Sequence, residues 1–219
     1  MKVELSEIWF YFLSYLLLEY GELGALDLDA HIELDKKRII VERTLTKDVN
    51  GRTILGTTTK IGKKNNRRNK RTVTFNLFSE ELYSLVLNDQ IEYARNNINN
   101  VENLLFCDKY GNYIDNRHAT TIFKRICRNA RVKLELPSGC HIHMTRHTGI
   151  SLLLAMGYDL MFITIFSGHT SIREIERRYG HILDEYKQKK LENPDFKYAK
   201  EEIITDEILE LARKRYNKA

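Results

Sequence analysis

The 219-residue chain holds two prolines, one tryptophan and three cysteines, and each scarcity removes a class of explanation. Cys107, Cys127 and Cys140 are odd in number and share no Cys-x-x-Cys spacing, so no disulfide framework is implied. With so little proline there is no low-complexity tract, and no repeat with a period of roughly 20–50 residues marks a solenoid. The longest apolar run, Ile8 to Leu18, is interrupted by Ser14 and falls well short of the ~20 residues of a membrane span. Glu4 and Glu7 precede it and no small-residue cleavage site follows, so neither a secretory signal nor a membrane partner is expected. Cytoplasmic residence is the default expectation.

What the chain does have is charge, unevenly placed. The formal net charge is +5, yet residues 1–35 carry eight acids against Lys2 alone. Residues 36–75 carry thirteen Lys and Arg against Glu42 and Asp48. Lys60, Lys63, Lys64, Arg67, Arg68, Lys70 and Arg71 crowd into one stretch without an acid among them. Such density repels itself unless an anion is present, and a phosphate backbone supplies one with release of counterions. A solvated hairpin tip has the same composition, so charge alone decides nothing.

Local patterns suggest one helix-rich domain with a small sheet. An apolar face too wide for a surface helix runs over 4–20. Arg38–Thr46, Arg52–Ile61 and Arg71–Asn76 are β-branched runs that predict three antiparallel strands, with Asn50-Gly51 as a two-residue hairpin between the first two. Helical patterning then predicts helices over 79–96, 116–134, 143–156, 160–166, 171–182 and 201–216, with a short extended piece at Leu104–Asp108.

Five of seven histidines, His141, His143, His147, His169 and His181, fall within 41 residues. Cys140, His143 and His147 raise a metal site. However, Met144 stands where a zinc protease has Glu, and Arg146 would repel a cation. Phosphoryl transfer uses the same residues better. His143-Met-Thr-Arg146 sets an imidazole and a guanidinium fork on neighbouring turns, and Arg matches non-bridging phosphate oxygens. Gly168-His169 adds a donor at a turn, and Tyr179 follows among Arg173, Arg177 and Arg178.

The ordered set His143-Met-Thr-Arg-His-Thr148, Phe166-Ser-Gly-His-Thr-Ser-Ile172 and Arg178-Tyr-Gly-His181 strongly resembles the tyrosine recombinases, or phage-type integrases. Their pattern is His-x-x-Arg-His-Thr, then Leu-Gly-His-x-Ser-Ile, then a nucleophilic Tyr; Phe166-Ser167 replaces the usual Leu. Thr59-Lys60-Ile61 and Arg71-Thr-Val-Thr74 resemble the family's lysine turn and the strand after its basic loop. The resemblance covers roughly 5–185.

It implies an α+β, mainly α catalytic domain with a small three-stranded antiparallel sheet, of the DNA breaking-rejoining type, over 1–200. A C-terminal amphipathic helix over 201–219 would dock on a neighbouring protomer or on its own core. By resemblance Tyr179 attacks the phosphodiester to form a 3′-phosphotyrosyl link. Arg146 and His169 stabilise the transition-state oxygens, Lys60 protonates the leaving 5′-oxygen, and His143 assists proton transfer. Lys63, Lys64, Arg67, Arg68, Lys70 and Arg71 would press on double-stranded DNA, with no metal and no cofactor, in a homo-tetramer on paired sites. A type IB topoisomerase shares this chemistry.

The resemblance fails at one motif. The family has Thr-Gly-Leu-Arg-x-Gly-Glu-Leu, whereas this chain reads Leu16-Leu-Leu-Glu19-Tyr-Gly-Glu-Leu23, with Leu17 at the Gly and Glu19 at the Arg. Both the turn and the charge are expected to be altered, giving a weakened recombinase or a catalytically inactive DNA-binding remnant. The helical DNA-binding domain that usually precedes the catalytic one is also not matched.

Overall fold

In a computed structural model of the chain we describe residue 10 and residues 13–57, 70–74, 80–129 and 141–195. The expected helix at the start is present at residue 10 and residues 13–15, but it stops there and does not reach residue 20. Leu17 adopts a left-handed backbone, φ +52°, which no helix continues through. A separate short turn, α1 (Tyr20–Leu23), follows. A left-handed turn thus stands at Leu17, the position where the family motif has Gly.

The β region holds a small three-stranded antiparallel sheet, as expected, but the expected runs divide differently among its strands. β1 (Ile32–Glu33), β2 (Arg38–Val41) and β5 (Arg71–Thr74) form one antiparallel sheet in the order β1-β2-β5. β3 (Arg43–Lys47) and β4 (Thr53–Thr57) form a separate hairpin. The expected first strand breaks at Glu42, where the chain leaves one sheet for the other. In β2, Ile39 and Val41 alternate inward onto Val73 of β5, and all three are fully buried. The hairpin loop is longer than two residues. Asp48 and Arg52 close it, with the Asp48 carboxylate accepting from the Asn50 and Arg52 N–H groups (2.9 and 2.8 Å). Only Gly51 takes positive φ (+77°), so this is not the turn in which Asn also would.

Helices follow: α2 (Glu80–Asn96), α3 (Asn116–Asn129), α4 (His143–Ala155), α5 (Leu160–Ser167) and α6 (Ile172–Glu192). Leu104 makes a single antiparallel bridge to Asp27, the extended piece in its minimal form. Asp159 starts α5 by accepting from the N–H groups of Met161 and Phe162 (2.8 and 3.0 Å), and Gly168 ends it at φ +74°. α6 runs ten residues past the expected end. Gly180 is tolerated, and good helix formers continue until Asn193-Pro194.

α4, α5 and α6 pack on one another, and α5 packs on β5. Ile150, Leu153 and Leu154 of α4, Ile163 and Phe166 of α5 and Ile175 of α6 share one core with Leu13, Leu16 and Leu17. α4 approaches the 14–17 turn so closely that a Cβ on Gly149 would stand 1.9 Å from the Ser14 carbonyl oxygen and 2.4 Å from Leu17 Cδ2. Cys107 and Cys127 are buried. Among the described residues no helix is long and apolar enough to cross a membrane. The amphipathic segment 201–219 lies outside the described residues.

Candidate active site

The close seat of α4 on the 14–17 turn positions Arg146. Its side chain is 1% exposed, the largest fully buried one in the molecule's described part. Nη1 donates to the carbonyl of Leu17 and Nη2 to that of Ser167. Leu17 offers its carbonyl through the left-handed turn, and Ser167 offers its own at the frayed end of α5, where helix carbonyls lack partners. Burial pulls the Arg146 guanidinium down to about 10, partly offset by the charge of Glu22. It stays a cation at neutral pH.

Arg71 lies beside it. The Arg71 fork meets the Glu22 carboxylate bidentately, at 2.5 and 2.7 Å, and Nε donates to the Phe166 carbonyl at 3.1 Å. Its side chain is only 10% exposed and that of Glu22 5%. A Cβ on Gly168 would fall 2.9 Å from Arg71 Nη1, so glycine makes room for the guanidinium. The structure thus turns Arg71 inward as an ion pair, rather than outward on a DNA-facing ribbon. Lys70, by contrast, is half-exposed and 3.6 Å from Glu42. Lys60, Lys63, Lys64, Arg67 and Arg68 lie outside the described residues.

His169 sits just past α5, its Nδ1 2.6 Å from Ser167 Oγ. Tyr179 projects from α6 into the core at 4% exposure, and its Oη is hydrogen-bonded to Nδ1 of His147. Burial raises the Tyr179 phenol above its usual value, while Arg146 and Arg178 pull the other way. Burial lowers the His147 imidazole, and Arg178, Arg146 and His141 lower it further. His143 meets His147 edge to face, with ring centroids 4.8 Å apart. His143 also lines a cleft of about 400 Å³ with Glu19, Tyr20, Asp115 and Asn116. Among the described residues no three His, Cys, Asp or Glu side chains gather as a metal site; Cys140 lies outside them.

Four of the residues singled out in the sequence, His143, Arg146, His169 and Tyr179, are therefore gathered where α4, the α5 terminus and α6 meet. The sequence match to the phage integrase family model extends over residues 8–186. The chain belongs to the phage integrase family. Integrase-like structures agree on the fold. A fragment of the Tn1549 transposon integrase, solved with circular intermediate DNA, superposes with a TM-score of 0.62 at 19% identity, over 78% of this chain and 53% of that one. XerA recombinase gives 0.60 at 16% identity over 90% of this chain and 66% of its own. XerH recombinase, bound to its difH substrate, gives 0.55 at 16% identity, over 78% and 41%. This chain thus spans about half the length of the Tn1549 fragment it matches. No curated protein matches its sequence.

Two members of the integrase cluster make contacts that the sequence does not show. His147 stands in the His-x-x-Arg-His-Thr motif and among the metal candidates, but nothing local says that it reaches Tyr179, 32 residues later. Glu22 was one acid of an acidic start. Its pairing across 49 residues to Arg71 depends on β5 lying against α5.

Proposed function

We propose that this chain is the catalytic domain of a site-specific DNA recombinase that cleaves and rejoins double-stranded DNA through a 3′-phosphotyrosyl link on Tyr179. The observation that carries the reading is the Tyr179 hydroxyl, held on an imidazole beside the buried Arg146 cation. Nucleophile, proton acceptor and anion stabiliser are the parts an acyl- or phosphoryl-transfer site needs. Arg146 and His169 would bind the non-bridging oxygens, and Lys60 would protonate the 5′-oxygen. The covalent link conserves the phosphodiester energy, so no metal or nucleotide enters. Lys63, Lys64, Arg67, Arg68 and Lys70 would contact phosphates, and four copies would act on paired sites in the cytoplasm. The helix expected over 201–216 would dock on a neighbouring copy through Ile204, Ile208 and Leu211.

The experiment is capture of a denaturant-resistant adduct on a nicked suicide duplex, with Tyr179→Phe as control. A Tyr179-dependent adduct supports the reading; its absence from both the unmodified chain and Glu19→Arg defeats it. A second reading, a catalytically inactive DNA-binding remnant, is favoured by Glu19, a carboxylate at the cleft that His143 lines. Losing one preorganised donor to a transition-state anion costs about 3–4 kcal/mol, or ~10²–10³ in rate. Adduct in Glu19→Arg alone would select this second reading for the natural chain.

A further inference from the structure

We propose that His147 is the catalytic base of this site: its Nδ1 takes the phenol proton of Tyr179 as Oη attacks phosphorus, and returns it when the link is resolved. The assignment rests on the phosphotyrosyl reading above and adds a residue that the motif comparison gave no role.

Geometry comes first. Nδ1 of His147 and Oη of Tyr179 are in direct hydrogen-bond contact, with ring centroids 5.8 Å apart and planes inclined by 50°. Consecutive residues on a helix point about 100° apart, so Arg146 and His147 take different directions from the same turn of α4. Arg146 reaches the carbonyls of Leu17 and Ser167, while His147 reaches across to α6. Tyr179 is thereby flanked by a cation and an imidazole delivered by one rigid element.

Charge state follows from the surroundings. The groups that face His147 are Arg146 and His143 on α4, His141 just before it, and Arg178 and Tyr179 on α6. Nearby cations and burial both disfavour a second proton on the ring, so it is neutral at neutral pH and free to accept. Tyr179 is itself pushed up by burial, so it does not ionise unaided. Its proton must leave as the O–P bond forms, when the phenol becomes strongly acidic. A positioned base then contributes about 10²–10⁴ in rate.

The step balances. An Oη lone pair forms the bond to phosphorus and the P–O5′ bond breaks. The Oη proton passes to His147 Nδ1, and the 5′-oxygen receives one from Lys60. Religation reverses each transfer. His147 also lines an open groove of about 570 Å³ with His141, Thr148 and Ser151, which gives its ring access to solvent protons.

Two measurements on the full chain decide the matter. The first is nitrogen-15 histidine NMR of the free protein, assigned with His147→Asn. The expected tautomer carries its proton on Nε2, and the Nδ1 resonance moves in Tyr179→Phe. A protonated Nδ1 at neutral pH, or indifference to Tyr179→Phe, overturns the proposal whether or not the chain cleaves DNA. The second is the single-turnover adduct rate on a nicked duplex whose scissile 5′-oxygen is replaced by sulfur, a leaving group that needs no acid. His147→Asn retains a hydrogen-bonding side chain but cannot accept the proton, and is expected to lower the rate by about 10² or more with unchanged DNA affinity. Sulfur should rescue Lys60→Ala and leave His147→Asn slow, and the acid limb of the pH–rate profile should vanish in His147→Asn. An adduct whose rate ignores His147, or a defect that sulfur repairs, overturns the base assignment alone. Absence of any Tyr179 adduct in both the unmodified chain and Glu19→Arg overturns the phosphotyrosyl reading and this assignment with it.

Discussion

Replacing Glu22 by Gln should unsettle the site more than its distance from the chemistry suggests. Glu22 neutralises Arg71 through a bidentate pair at 2.5 and 2.7 Å, and its charge also supports Arg146. Both guanidinia are almost wholly buried, and each already spends N–H groups on backbone carbonyls. Removing one partner of a buried pair costs about 3–5 kcal/mol, because the other charge is left uncompensated. The Gln amide still accepts one hydrogen bond, so we expect the low end, about 3 kcal/mol. For a chain of this size each kcal/mol moves Tm by roughly 2–4 °C, which gives a fall of about 6–12 °C. The double variant Glu22→Leu with Arg71→Met removes both charges and should recover more than half of that loss. Chemical denaturation of Glu22→Leu, Arg71→Met and their double closes the cycle. Sulfate should stabilise Glu22→Gln more than the unmodified chain, since it replaces the missing anion. A loss below about 1 kcal/mol in Glu22→Gln, the range of an exposed pair, would refute the reasoning; so would additivity in the cycle.

Three further outcomes are expected. At Leu17, Ala should be worse than Gly by about 1 kcal/mol, because φ +52° strains any L side chain and only Gly is relieved; both should be less stable than Leu, whose side chain is fully buried. Denaturation midpoints giving the ordinary order, with Ala better than Gly, would remove the left-handed turn from the argument. Gly149→Ala should cost about 1–3 kcal/mol or more, as its methyl meets the Ser14 carbonyl and Leu17, and should also disturb Arg146 by lifting α4. Finally, His31 and His147 both have imidazoles held below the ordinary histidine value, first by burial. Above the unfolded value both states are neutral; as pH falls through it the unfolded chain gains protons first, so stability is lost on acidification. A titration of unfolding free energy should show this slope, shallower in His31→Gln, and a flat profile would contradict it.

Much of the site was legible because its chemistry needs particular residue types at particular helical spacings. His143, Arg146 and the Gly168-His169 turn are set by α4 and by the end of α5, both local decisions. Among the described residues helix positions were likewise readable, apart from the first helix, which ends before the left-handed Leu17, and α6, which runs on past residue 182. The sheet was not. Whether Arg38–Thr46 is one strand or two is decided at Glu42, which faces both Lys70 and His31 from other parts of the chain. Ile32–Glu33 is too short to announce itself and exists by pairing with Arg38–Ile39. Arg71 looked like the last cation of a basic run. Only the fold shows that strand β5 delivers it to Glu22 instead.

That delivery gives the two oppositely charged blocks of the sequence a shared purpose. The acidic start and the basic middle meet in the interior, where Glu22 and Arg71 hold each other beside Arg146. On the proposed function, a phosphate entering the site would meet guanidinia already fixed by carbonyls and a carboxylate, so little reorganisation would remain when charge develops. The two glutamates of the failed motif then have opposite standing. Glu22 is part of the frame. Glu19 enters that frame as the N-cap of α1, its side chain taking one half of a capping box and its backbone N–H donating to Glu22 Oε2 at 2.9 Å, a bond that any residue other than proline at position 19 can make. An arginine at position 19 would therefore keep this bond and the Glu22–Arg71 pair while replacing a carboxylate at the His143 cleft with a cation. On the inactive-remnant reading, the defect at position 19 would be one of charge, with the Glu22–Arg71 pair kept, and a single substitution would repair it.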